Sequence, residues 1–91
     1  MITVQRYSIV FGQTTLMLPA THRIIHAGLD DYHSPSVWVW LDDAMPRNTS
    51  RTIIMTSAYQ WVPGPDTVDY IGSFKSDMSE TWHGFADRII P

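Results

Sequence analysis

The segment Ser36-Val37-Trp38-Val39-Trp40-Leu41 constrains the fold of this chain more than any other, because side chains alternate between faces along an extended strand. Val37, Val39 and Leu41 then share one face and the two tryptophans the other, so both faces are apolar. Such a strand is either enclosed between two layers or leaves an indole pair for a partner or ligand to cover, since contiguous exposed aromatic surface is unusual on a monomer.

Turn formers divide the rest into short runs rich in β-branched and aromatic residues. Strands are expected at Ile2 to Val10, Thr14 to Leu18, Arg23 to Leu29, Ser36 to Asp42, Arg51 to Thr56 and Val68 to Phe74. Gly12-Gln13 can close a hairpin, Pro19 cannot donate to a ladder, and Asp30-Asp31 with Ser34-Pro35 carries Asx-turn chemistry followed by extended backbone before proline. Residues 45–50 and 62–66 read as loops.

The C-terminal part has two readings. Met78, Trp82, Phe85, Ala86 and Ile89 follow a helical period, with Ser76 or Ser79 as a cap, but Gly84 costs about 1 kcal/mol inside a helix. Thr81-Trp82-His83-Gly84-Phe85 reads as a short strand, and that reading is preferred. Short connections without helical patterns between strands favour antiparallel pairing. The expected fold is mostly β: one domain over residues 1–91, an antiparallel sandwich or partly open barrel of six to seven strands, with a short C-terminal helix as the alternative.

Composition narrows the function. The chain has no cysteine, so disulfides and thiolate metal sites are excluded and an intracellular setting is expected. No run approaches the ~20 apolar residues of a membrane helix, and the N-terminal residues lack the basic and apolar stretches of a signal peptide. A net charge of −3 argues against a sequence-independent grip on nucleic acid and favours basic protein partners. Five of the six basic residues are arginine, the better residue for bidentate carboxylate or phosphate contacts.

Candidate chemistry is sparse. His22 and His26 on one strand would share a face about 13 Å apart, too far for one metal ion. Asp30-Asp31-Tyr32-His33 and Asp42-Asp43 supply carboxylates, yet Asp pairs at strand ends are more often turn residues bonding nearby amides. His83 near Asp87 permits a hydrolytic constellation, but no nucleophile elbow or glycine-rich phosphate loop is present. No metal or cofactor is therefore expected, and the chain reads as non-enzymatic.

The aromatic set carries more. Trp38, Trp40, Tyr59, Trp61, Tyr70 and Trp82 are many for this length, and most serve a small core. Those left outside suit either a protein interface or, with Arg51, stacking on a nucleotide base. The candidate binding residues are Trp38, Trp40, Arg51, Tyr59, Trp61 and His83.

Arg6-Tyr7, Leu18-Pro19, the run Val37 to Asp42, Pro46 followed by Arg51, Tyr70-Ile71-Gly72-Ser73-Phe74 and Trp82-His83-Gly84-Phe85 occur in an order that resembles a family of small uncharacterised tailed-phage proteins, a domain of unknown function. The chain departs from that pattern at Met55-Thr56-Ser57-Ala58, where the family carries a Gly-Thr-Gly turn. The resemblance implies a viral origin and no catalytic residues. The expectation is a phage-encoded accessory binding protein of the host cytoplasm, forming a small homo-oligomer and acting on a host protein to counter defence or remodel metabolism. The alternatives are sequestration of a nucleotide signal and a minor structural role in the virion.

Overall fold

The computed structural model describes residues 1–57, 64, 67–75 and 80–88. Seven strands run in chain order: β1 (Ile2–Ser8), β2 (Gly12–Leu18), β3 (His22–Leu29), β4 (Pro35–Asp42), β5 (Thr49–Ser57), β6 (Val68–Lys75) and β7 (Thr81–Asp87). They form two antiparallel sheets, one of three strands in the order β1-β4-β3 and one of four in the order β2-β5-β7-β6. The described residues contain no helix, hence none long and apolar enough to cross a membrane.

The β4 alternation holds. Val37 and Val39 are fully buried and Leu41 nearly so, and they meet Ile53, Met55 and Ala86 of the other sheet in one core with Ile9, Leu18 and Ala27. Burial of this apolar set from both layers is the main driving force available to the domain, since each buried aliphatic side chain contributes roughly 1.5–3 kcal/mol. Thr81–Asp87 of the C-terminal part form a strand. Gly84 lies in β7 opposite Met55 of the neighbouring strand β5, where an added Cβ would come within 3.0 Å of Met55 Cε and 3.2 Å of Ile71 Cγ1.

Two expectations are corrected. Gly12 does not close a hairpin: β1 pairs with β4 and β2 with β5, so the chain crosses from one sheet to the other between β1 and β2. The period-2 pattern of β1 fits either neighbour; beside β4, Tyr7 packs against the core, and Ile9 just after the strand is buried in it. His22 and His26 do not share a face, because a bulge between Ile24 and His26 inverts the alternation. His22 then stands opposite Leu41 on the inner face, whereas His26 stands opposite Trp38 on the outer face. The preferred strand reading of Thr81-Trp82-His83-Gly84-Phe85 holds as β7, which leaves no helix over Thr81–Asp87.

The sheets are tied at two places. Gly72, at a β6 irregularity with φ +143°, brings its backbone against β3, where a Cβ would stand 3.4 Å from the Ala27 carbonyl oxygen. At the opposite end of the core Arg51 of β5 is buried; its Nε donates to Asp87 Oδ1 at 2.9 Å and its Nη2 to the Asp87 carbonyl at 2.7 Å. Arg51 Nη1 lies 2.8 Å from His22 Nε2, and His22 Nδ1 lies 2.7 Å from the Pro19 carbonyl oxygen. An imidazole carrying its proton on Nδ1 satisfies both contacts, donating to Pro19 and accepting from Arg51.

Candidate functional site

Register places the outer face of the three-stranded sheet. Val4 of β1 and Arg23 of β3 flank Trp40, and Arg6 and His26 flank Trp38. The two indoles therefore share a face, as alternation along β4 requires, but their surroundings differ.

Around Trp38 the surface is closed by its own side chains. The His26 ring sits over Trp38 with centroids 5.0 Å apart. Arg6 Nη1 donates to Ser8 Oγ and Ser36 Oγ at 3.0 Å each and to Asp30 Oδ2 at 3.1 Å, which leaves Ser36 fully buried. Asp30 in turn caps the β3–β4 turn: its Oδ1 accepts from the Tyr32 and Ser34 amides at 2.8 and 2.9 Å. The Ser34 amide bond, opposed by partial burial and aided by Tyr32 and Arg6, holds the Asp30 carboxyl below the usual carboxylate range. The reading of Asp30-Asp31 as turn chemistry holds, with His33 at φ 61° completing the turn.

Around Trp40 the surface is open. Trp40 is 49% exposed, with Ile2, Val4 and Met45 comparably exposed beside it. Ile2, Trp40, Leu41 and Met45 line a cavity of about 390 Å³ together with Thr21, His22, Arg23 and Asp42. Asp42 Oδ1 accepts from the Ala44 amide at 3.0 Å, the main reason its carboxyl also lies below the usual range. Together with Ile25, half-exposed at the β3 bulge, Trp40, Ile2, Val4 and Met45 make five half-exposed large apolar residues on and around β1, β3 and β4. The outer face of the other sheet mixes polar and apolar side chains: Thr15, Thr52, Thr56, Ser73 and His83 share it with Met17, Ile54, Tyr70 and Phe85.

The six residues singled out from the sequence are thus separated. Trp38 and Trp40 occupy one outer face, and His83 the opposite one, 6.4 Å from Tyr70 between ring centroids. Arg51 is enclosed by Asp87 and His22, with its guanidinium turned to the core edge. Tyr59 and Trp61 lie outside the described residues. Trp82 faces inward and stacks on Phe11 at 4.2 Å. Among the described residues no three His, Asp or Glu side chains stand close enough to hold a metal ion.

Sequence reasoning missed Ile2, Val4, Arg23 and Met45. The shared parity of Ile2 and Val4 is visible in β1, but nothing local says that β1 lies beside β4. No curated protein and no solved structure matches the chain. Residues 1–89 match one family model over nearly the whole length, and the chain belongs to that family, a domain of unknown function designated DUF7352.

Proposed function

We propose that this chain is a non-enzymatic binding protein that docks a protein partner on the outer face of its three-stranded sheet. The observation that carries the reading is Trp40: a half-exposed indole on a central strand, ringed by Ile2, Val4 and Met45, beside a sheet end where Arg6, Asp30 and Ser36 are already engaged with one another. Covering the exposed half of one indole removes on the order of 100 Å² from water, about 2.5 kcal/mol, and aromatic anchors of this kind dominate interface energetics. The resemblance to tailed-phage proteins supports a host protein as the partner, in the host cytoplasm, with a role against host defence or in redirecting host metabolism.

A second reading, sequestration of a nucleotide signal, draws on the volume beside Trp40, which lies in the range of ligand pockets. It is the weaker one, because Arg51, the cation the stacking model relied on, is committed to Asp87. A minor virion role has no feature of the structure to support it.

The test compares the wild-type chain with a Val4→Ser, Trp40→Ser double variant. Each is used as bait in host extract; partners are identified by mass spectrometry and remeasured as purified proteins. The expected result is one partner bound by the wild type and lost by the variant, at an unchanged unfolding midpoint. Equal binding by both proteins removes the proposal, and a concentration-dependent dimer dissolved by the variant assigns the face to a second copy instead.

A further inference from the structure

We propose that the groove beside Trp40 receives an acidic-apolar segment of the partner protein: a bulky apolar side chain seats against Trp40, Ile2 and Met45, and a neighbouring Asp or Glu carboxylate pairs with Arg23. This rests on the docking reading above and specifies its partner's chemistry.

The arginines make the argument. Arg6 is engaged by Asp30 and two serines, Arg47 by Gln5 and Tyr7, Arg51 by Asp87 and Arg88 by Asp69. Arg23 is exposed and makes no hydrogen bond or ion pair among the described residues. It stands opposite Trp40 in the β3–β4 register and lines the cavity of about 390 Å³ with it. A guanidinium held at the rim of an apolar groove is a bidentate site for a planar anion, and the groove floor supplies burial for whatever carries that anion.

Charge and area select the occupant. Asp42 lines the same groove and Asp43 follows it, both already paired with the Met1 ammonium at 2.9 and 3.1 Å, and His22 in the lining is engaged by Arg51, so a polyphosphate would find one unengaged guanidinium there among the described residues. A single carboxylate matches a single guanidinium. The face itself is small: three strands of seven or eight residues cover about 25 by 14 Å. That falls well below the ~800 Å² per side of a stable globular interface, which disfavours a second copy of the chain and suits a segment laid along the groove.

The probe is a library of displayed random linear peptides selected on the 91-residue protein, the enriched peptides then being measured on Trp40→Ser. Enriched sequences are expected to share an aromatic or long aliphatic residue within two positions of Asp or Glu. In fluorescence anisotropy with the best peptide, Arg23→Gln and the peptide's acid-to-amide change should each weaken binding at least tenfold. Both together should cost little more, and Arg23→Glu with the peptide acid changed to Lys should recover binding. Selected peptides without an acid, or ones indifferent to Arg23→Gln yet lost with Trp40→Ser, overturn the carboxylate pairing while leaving the docking face standing. Peptides that bind Trp40→Ser equally overturn both, and absence of enrichment overturns the segment. Arg23-dependent displacement of the peptide by micromolar ADP would assign the groove to a small anion and also defeat the proposal.

Discussion

Arg51 and Asp87 are 36 residues apart in sequence and joined on adjacent strands, Arg51 Nε donating to Asp87 Oδ1 at 2.9 Å with the arginine side chain only 9% exposed. Asp87 Oδ1 also accepts from the Thr52 amide at 3.0 Å, so one carboxylate satisfies a buried guanidinium and holds β5 to the end of β7. Removing it strands a charge in the core edge.

Asp87→Ala should therefore destabilise the domain by about 2–3 kcal/mol, less than for a fully enclosed pair because the carboxylate itself is partly exposed to solvent. Asp69→Ala, which breaks the exposed pair with Arg88, should cost no more than about 0.5 kcal/mol. Urea unfolding of the two variants side by side checks the contrast; equal losses would deny Arg51 its structural role.

Gly84→Ala places a methyl group against Met55 and Ile71 at distances real Cβ atoms rarely tolerate. The expected loss is about 1–3 kcal/mol from overpacking, and Met55→Leu, which withdraws the thioether end, should relieve part of it. Gly64→Ala meets nothing within 4 Å and should change the unfolding midpoint by less than the error of the measurement.

Acid should loosen the β3–β4 turn. The folded-state Asp30 carboxyl titrates below its ordinary value of 3.8, so its contribution is complete above that value and declines as pH falls through the depressed folded value. Asp30→Asn should flatten the acid limb of stability below about pH 4, measured by denaturant midpoints across a pH series. Retention of the full wild-type slope in the variant would place the acid sensitivity elsewhere.

Much of this architecture was legible in residues alone, and the limits have physical causes. The alternation of Val37, Val39 and Leu41 against Trp38 and Trp40 fixed a central two-faced strand, and the Asp30 to Pro35 chemistry fixed the turn before it. Strand order was not legible, because period-2 patterns state which face is buried and not which strand lies alongside. Hence the expected hairpin at Gly12 and the missing neighbours Ile2 and Val4 of Trp40. The bulge at Ile25 reverses parity within β3 without any proline or glycine to announce it, so His22 and His26 were assigned one face. Arg51 looked available only because its partner lies on a strand read no further than Phe85.

The central claim is that the Trp40 face, and not the opposite sheet, meets the partner. Photo-crosslinking in producing cells decides it, with benzoylphenylalanine placed at Val4 on that face and, in a separate protein, at Met17 on the outer face of the four-stranded sheet; both positions are about half-exposed. A single adduct from position 4 that disappears with Trp40→Ser, and none from position 17, is the predicted result. The same adduct from both positions, or from position 17 alone, would contradict it.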